Sequence, residues 1–378
     1  MKVRSRPRIV VIYNRDFEGA EADPENKARV DVKDVAEDIL RILGNGGFDS
    51  VGLGITNDVA AAISALVDLQ PCAVFNLCES IHGDNRFECV MPLLMDLANI
   101  AYTGSCPFGL ALALRKEKVK DVLRARGVPV AAGAFLNSCA ECADLGLPFP
   151  LIVKPAREDA SVGICSASVV EDQSALEARV AHVLENYRQP ALVEQFIEGR
   201  EIYVSILEQV DDEPLVFPFF EIDFSDMPDD RPKIVSFEGK WVEDSIEYKG
   251  TRPVRCERLS SELRAAVSRT SLEAFRAIGL RDYARMDIRL SKDGIPYVID
   301  VNPNCDLSDL AGGYARAAKV AGLSYRDLIL RIVDLALARQ ARESSIARLL
   351  KTADIAASDP GLRAAVRRPA PRGGARSA

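Results

Sequence analysis

The stretch Tyr283-Ala284-Arg285-Met286-Asp287-Ile288-Arg289-Leu290, the turn Ser291-Lys292-Asp293-Gly294, and then Pro296-Tyr297-Val298-Ile299-Asp300-Val301-Asn302 decide how this chain is read. Two apolar runs around a glycine-bearing turn predict an antiparallel hairpin, with strands at Ala284–Leu290 and Pro296–Val301. Side chains alternate along a strand, so Arg285 and Asp287 share one face, as do Asp300 and Asn302. Carboxylates gathered on an otherwise apolar hairpin repel one another unless a cation lies among them. Two carboxylates and an amide oxygen form an oxygen-only set that suits Mg2+, which keeps waters and substrate phosphates in the rest of its shell. Arg285 beside them would stabilise negative charge. A structural Arg–Asp network is the competing explanation.

Upstream of the hairpin, a helix is expected at Ser260–Ile278. Short apolar segments recur before it at Ala132–Leu136, Leu151–Lys154, Gly163–Val169, Ala191–Phe196, Glu201–Leu207 and Leu215–Ile222, with one helix at Gln173–Glu185. That pattern predicts α+β architecture with antiparallel sheets. The first hundred residues differ. A strand at Arg8–Tyr13, a helix from Val32 to Leu43, a strand at Ser50–Ile55, a helix at Val59–Leu69 and a strand at Ala73–Leu77 alternate as in a small parallel α/β unit. No Gly-x-Gly-x-x-Gly follows the first strand, which argues against a dinucleotide site. A basic helix at Leu112–Arg126 is closed by Gly127 and Pro129. A last helix is expected over Ser324–Arg339, and a disordered basic tail after about Ser358.

Composition sets limits. The chain has 378 residues, 48% hydrophobic and 28% charged, as in ordinary globular proteins of two or three packed units. Its net charge of −8 argues against general nucleic-acid binding, since only Arg363–Arg376 is strongly basic. No apolar run approaches the ~20 residues that cross a bilayer, and no signal-type stretch follows Met1, so a cytoplasmic location without membrane partners is expected. Nine cysteines, an odd number, argue against a disulfide framework. Cys139 and Cys142 have CxxC spacing but no second pair to complete a metal site.

Two further segments can carry chemistry. In Lys154-Pro155-Ala156-Arg157-Glu158-Asp159-Ala160-Ser161-Val162-Gly163, a strand delivers a lysine into a loop of small residues whose N–H groups can approach phosphate oxygens. A plain hairpin with a surface lysine is the bland alternative. In Ala191-Leu192-Val193-Glu194-Gln195-Phe196-Ile197-Glu198-Gly199-Arg200-Glu201, acids cluster at a strand end, where carboxylates can meet an adenine amino group and ribose hydroxyls. A solvated turn is the alternative there.

The order Lys116, Lys154-Pro155, Glu194, Glu201, Arg285-x-Asp287, Asp300-x-Asn302 resembles the ATP-grasp superfamily, and within it the D-alanine–D-alanine ligases. Phe75-Asn76, Tyr102-Thr103-Gly104-Ser105, Gly127-Val128-Pro129, Arg157-Glu158, Ser161-Val162-Gly163 and Tyr283-Ala284-Arg285 also resemble segments of that family, from about residue 70 to 340. The resemblance implies an ATP-grasp fold, in which a parallel α/β domain (1–104) precedes two α+β domains (105–192 and 193–342) that enclose the nucleotide, followed by a helical end and tail (343–378). It implies ATP and two Mg2+ ions as cofactors, with Mn2+ as a substitute. Lys116, Lys154 and the Ser161 loop would contact phosphates, Glu194 and Glu201 adenine and ribose, and the backbone of Gln195, Phe196 and Ile197 the purine edge. Asp287, Asp300 and Asn302 would hold the metals, Arg285 would stabilise a tetrahedral intermediate, and Lys240 would fold over the γ-phosphate from a mobile loop.

The implied reaction joins the carboxylate of an amino acid or small acid to an amine through an acylphosphate, releasing ADP and phosphate. D-alanine–D-alanine ligase itself and a nucleotide-binding regulator without turnover are the alternatives; a homodimer is a further implication. Acylphosphate chemistry needs water excluded, and residues 226–255, with Pro228, Pro232, Gly239, Gly250 and Pro253, form the expected lid. Several positions depart from the family. Ala160 stands in place of a serine and Trp241 in place of a tyrosine, so a hydrogen-bonded loop contact is expected to be lost. Tyr13-Asn14-Arg15-Asp16-Phe17-Glu18 replaces a glycine-rich motif, leaving Glu18 as a guess for the ammonium ligand. Asp306 adds negative charge on the acceptor side, which favours a cationic or amino-bearing acceptor.

Overall fold

The computed structural model describes residues 6–15, 32–309 and 312–358. Its helices are α1 (Val32–Asn45), α2 (Val59–Leu69), α3 (Val90–Leu97), α4 (Pro107–Ala113), α5 (Lys116–Ala125), α6 (Gln173–Tyr187), α7 (Phe237–Trp241), α8 (Ile246–Lys249), α9 (Ser261–Ile278), α10 (Gly313–Val320) and α11 (Tyr325–Ser358). A parallel sheet of order β2-β1-β3 comprises β1 (Arg8–Asn14), β2 (Asp49–Ile55) and β3 (Ala73–Leu77). Helices cover both its faces, as an apolar parallel sheet requires. Ile9, Val11 and Phe75 share a core with α1 and α11, while Val10, Ile12 and Val74 pack with α2 and α3.

The second sheet is antiparallel, in the order β4-β7-β5-β6, from β4 (Gly133–Leu136), β5 (Leu151–Pro155), β6 (Val169–Val170) and β7 (Ala191–Gln195). The third runs β11-β10-β8-β12-β13 with β9 on β8, from β8 (Gly199–Gln209), β9 (Asp212–Val216), β10 (Phe220–Asp223), β11 (Arg252–Arg255), β12 (Tyr283–Ser291) and β13 (Pro296–Asn302). On one face of this sheet Ile202, Val204, Met286, Ile288 and Val298 are buried with Val267 and Phe275 of α9 and Val119 and Leu123 of α5. The expected division at 192/193 falls inside β7, all of whose residues belong to the second sheet.

Four elements differ from expectation. The Leu112–Arg126 helix is two helices, because Arg115 leaves the helical region (φ −105°, ψ 74°) and Lys116 begins α5. The Leu215–Ile222 strand breaks between β9 and β10 around Pro218, which has no N–H for a ladder. The Gly163–Val169 strand shrinks to β6, since the preceding loop turns through positive φ at Ala160, Ser161 and Gly163. The last helix continues to Ser358; the tail beyond it lies outside the described residues.

The Tyr102–Ser105 segment ties the parallel sheet to the third one. Asp282, fully buried and left-handed (φ 62°), accepts the Gly104 N–H at 2.7 Å and pairs with Arg339, whose Nη2 also donates to Tyr102 O at 2.6 Å. Arg281 Nε donates to Gly104 O at 3.1 Å. These bonds bring β3 and the loop after it up to the start of β12.

Candidate active site

On the face turned from α9, the third sheet carries polar side chains around β12. The register opposes Asp287 to Asp300 and Arg285 to Asn302 across β12 and β13, and Asp287 to Tyr203 and Arg289 to Glu201 across β12 and β8. Directly opposed residues share a face, so these side chains form one polar row. A bulge makes that possible. Ile288 opposes Val298 whereas Asp287 opposes Asp300, which leaves Ile299 as the extra residue. Val298 and Asp300 would otherwise point the same way; the bulge sends one into the core and the other into the row.

Each acid in the row has a cation. Arg285 donates through Nε and Nη2 to the two Asp287 oxygens at 2.7 and 2.9 Å, and its guanidinium lies 4.7 Å from the Tyr203 ring centre. Arg289 Nε lies 3.6 Å from Glu201 Oε2, and Tyr203 donates to Glu201 Oε1 at 3.2 Å. Burial outweighs these partners and holds the Glu201 carboxyl above its usual range. The Arg289 guanidinium also lies 5.1 Å from the Phe196 ring centre.

Lys116 and Lys120, one helical turn apart on α5, are both buried; Lys116 meets the row at Asp300 and Lys120 meets Glu194 of the second sheet. Lys116 Nζ is 2.8 Å from Asp300 Oδ1 and 3.1 Å from Asp159 Oδ1. Burial alone would lower its pKa, but the two carboxylates hold it above the usual lysine value. Asp300 answers in kind: burial raises its pKa, Lys116 more than reverses this, and the group lies below its ordinary value. Glu194 on β7 is 2% exposed and takes Lys120 at 2.5 Å and Lys154 at 2.7 Å. β5 pairs Ile152 with Glu194, which puts Lys154 diagonally across on the same face. Despite the burial penalty, the two lysines hold the Glu194 carboxyl below its ordinary value. Lys120 is lowered by burial, with Glu194 opposing and Lys154 assisting.

The loop after β5 has consecutive left-handed residues, Ala160 (φ 54°) and Ser161 (φ 65°), a conformation that can turn successive N–H groups toward an anion. The lid segment lies against this loop. Phe237 N–H donates to Ile164 O at 2.8 Å, and Arg231 reaches Ser166 Oγ at 3.3 Å and Glu247 at 3.1 Å. The expected loss of a contact between positions 160 and 241 does not occur. Trp241 Nε1 donates to the Ala160 carbonyl at 3.0 Å, so the indole contacts the backbone of residue 160 and needs no serine there. Lys240 Nζ lies 5.1 Å from the Trp241 ring centre. Desolvation of its ammonium and the nearby Arg285 hold its pKa below the lysine norm.

At the end of β7 the Gln195 and Phe196 amides donate to Ala132 O at 2.8 Å and Pro150 O at 3.0 Å. Among the described residues the buried Ile197 amide has no protein acceptor, which leaves it for a ligand. Asp306 is exposed, and its carboxylate accepts from Ser308 N at 2.7 Å and Ser308 Oγ at 3.0 Å. Glu18 lies outside the described residues. Sequence reasoning missed Lys120, although its spacing of four from Lys116 signals a shared helix face. It also missed Asp159 as a partner of Lys116, and the contact of buried Glu88 with half-buried Asn304. Among the described residues no three His, Cys, Asp or Glu side chains form a metal set on their own.

Cations and oxygen donors gathered between an antiparallel sheet carrying Lys154 and a larger one carrying Asp287 and Asp300 belong to an ATP-grasp enzyme. The family described as D-ala D-ala ligase C-terminus matches residues 131–334, and the chain belongs to that family. It is 32% identical to the uncharacterized protein y4sG of Sinorhizobium fredii, over 87% of this chain and 96% of that one. It is 30% identical to a D-alanine–D-alanine ligase of Xylella fastidiosa, over 79% and 92%. The fold matches that of a D-alanine–D-alanine ligase from Bacillus anthracis crystallised with ATP, with a TM-score of 0.68 and 22% identity over 90% of this chain and 99% of that one. No helix among the described residues is long and apolar enough to cross a membrane.

Proposed function

We propose that this enzyme is an ATP-dependent ligase that joins the carboxylate of an amino acid to an amine, releasing ADP and phosphate. One observation carries the reading. Asp287, Asp300, Asn302 and Arg285 share one face of the third sheet, with Lys116 bridging from α5 to Asp300. Membership of a ligase family speaks against a regulator without turnover.

The geometry supports the following roles. Lys116, Lys120 and Lys154 bind the nucleotide's phosphates, with the Ser161 loop as a cradle of N–H groups. Ile197 N–H meets the purine edge and Glu201 the ribose hydroxyls. Glu194 orients Lys120 and Lys154. Asp287, Asp300 and Asn302 are hard oxygen donors too few to enclose a cation alone. They therefore fit Mg2+ that shares phosphate oxygens and water. Such ions would supply charge neutralisation at the transferring phosphoryl group. The donor carboxylate attacks the γ-phosphorus to give an acylphosphate, and the amine then displaces phosphate at the acyl carbon. Arg285 steadies the negative charge on the acyl oxygen as it becomes tetrahedral. Lys240 and Trp241, held down on the 160 loop, keep water from the acylphosphate. A cytoplasmic location and a homodimer belong to the same proposal.

The donor and acceptor are open to test. Amino acids, D-alanine among them, are paired with amines and amino acids as acceptors, and ADP and phosphate are measured. The reading requires release that depends on both substrates and a product with a new amide. Release of ADP with a stable phosphorylated product, or none with any pair, refutes it.

A further inference from the structure

Arg285 must be held in place to act on the acyl oxygen, and two different groups hold it. Along its edge, Nε and Nη2 donate to the two Asp287 oxygens at 2.7 and 2.9 Å; among the described residues Nη1 has no protein acceptor. Asp287 has a second duty as a metal ligand in the ligase reading, and an oxygen given to a cation holds the guanidinium less firmly. Against its face, the guanidinium lies 4.7 Å from the Tyr203 ring centre. A ring attracts a desolvated cation through its negative face and has no metal to share it with.

The ring is itself fixed. Tyr203 is half-buried on β8, directly opposite Asp287 of β12 and, on its other side, opposite Phe220 of β10. Its hydroxyl donates to Glu201 Oε1 at 3.2 Å, and Glu201 Oε2 lies 3.6 Å from Arg289 Nε. Arg289 is 4% exposed and tied at its other end, where Nη1 donates to Gly199 O at 3.1 Å and Nη2 to Lys233 O. Burial and the carboxylates of Glu201 and Asp287 push the phenol well above its ordinary pKa, so at neutral pH it remains a donor. One side chain thus meets the acid assigned to ribose at its hydroxyl and the arginine assigned to the acyl oxygen at its ring.

We propose that Tyr203 is a positioning residue with separable contacts: its ring seats Arg285 for the acyl-transfer step, and its hydroxyl seats Glu201 for the nucleotide. The assignment rests on the ligase reading above and adds to it the group that keeps the arginine oriented while Asp287 is shared.

The test uses Tyr203→Phe, which keeps the ring and loses the hydroxyl, and Tyr203→Leu, which loses both, with thermal melting to verify folding. Tyr203→Met takes the place of the leucine variant should that one not fold. kcat is measured as ADP release with the amino-acid pair that gives most amide with the wild type, D-alanine with itself being the first probe. ATP affinity is measured by calorimetry with amino acids omitted. Expected for Tyr203→Phe are an ATP Kd raised at least about threefold and a kcat within about twofold of wild type. Expected for Tyr203→Leu are a similar ATP Kd and a kcat lowered at least about fivefold. That loss of kcat should shrink to less than about twofold when Tyr203→Leu is made in an Arg285→Gln background, since a ring that acts through the guanidinium has nothing to seat once it is gone. A loss of the same size in both backgrounds, which is what simple packing produces, overturns the assignment. A leucine variant with the kcat of the wild type, or a phenylalanine variant with its ATP affinity, overturns it as well. A wild type that makes no amide from any pair overturns the ligase reading, and that result needs no variant to show it.

Discussion

Replacing Trp241 by phenylalanine removes one hydrogen bond and retains most of the ring. The bond lost is from indole Nε1–H to the Ala160 carbonyl at 3.0 Å, which joins the lid to the loop after β5. Phenylalanine still offers Lys240 an aromatic face, so the stacking seen at 5.1 Å is weakened without being abolished. A neutral hydrogen bond contributes about 0.5–1.5 kcal/mol net, which shifts a closed-to-open equilibrium roughly two- to twelve-fold. The expected result is a fall in kcat/KM by that factor, with more than one ADP released per amide formed as water reaches the acylphosphate. Quantifying ADP and amide in the same reaction measures both. Trp241 is the single tryptophan of the chain, so in the wild type its emission also reports nucleotide-driven lid closure. Ala160→Ser sharpens the test, because the acceptor is a carbonyl that serine also has; it should behave as wild type. Kinetics within twofold of wild type and one ADP per amide in Trp241→Phe would refute the latch.

Asp300→Asn removes the charge that Lys116 holds at 2.8 Å and one proposed metal ligand; turnover should drop at least about a hundredfold, and an unchanged Mg2+ titration of kcat would count against the assignment. Lys154→Ala leaves Glu194 buried with Lys120 alone; a charged hydrogen bond of about 1.5–3 kcal/mol is lost, read as reduced stability in urea together with a raised ATP KM, and an unaltered ATP KM would remove Lys154 from the phosphate site. Acid stability should respond oppositely at two glutamates. Glu194 is held below its usual pKa by Lys120 and Lys154, so its stabilisation is present above the unfolded value and lost as pH falls through the folded one. Glu88 is pushed up by burial, with Glu79 and Asp159 adding to it and Asn304 opposing, so its contribution is lost as pH rises from the unfolded value through the folded one. Melting curves from acid to neutral pH should therefore show Glu194→Gln destabilised and Glu88→Gln stabilised near neutrality, and the same sign for both would contradict the burial argument.

The legible parts of the fold were those governed by local period. β3, α2 and the β12–β13 hairpin follow from apolar runs, helical spacing and the Ser291–Gly294 turn. The α4–α5 break was illegible because no Gly or Pro marks Arg115, yet it sets Lys116 at the start of a helix aimed at Asp300. The Ile299 bulge was hidden for a different reason. Val298, Ile299 and Val301 are all β-branched and apolar, and only pairing with β12 decides which one is extra. Glu88 and Asn304 are 216 residues apart, so their contact is a product of tertiary packing that no local pattern encodes.

Glu194 shows how a side chain can be located from sequence while its internal partners are not. The resemblance placed its carboxylate on adenine, whereas both oxygens lie on ammonium groups. That arrangement does not block phosphate binding. An ammonium has three donors, and Lys154 spends one on Glu194, so two remain to point elsewhere. Lys116 spends two, on Asp300 and Asp159, and keeps one. Carboxylates placed behind the lysines thus hold flexible four-carbon stems in register before a nucleotide arrives, which removes much of the ordering cost from the binding step. They also keep Lys116 charged despite its burial, where a neutral amine would give phosphate no attraction. Lys120, lowered by burial and by Lys154, depends on Glu194 for its remaining charge. On the proposed reading Glu194 acts on phosphate through both lysines at once, and Glu194→Gln should raise the ATP KM more than Lys120→Ala does.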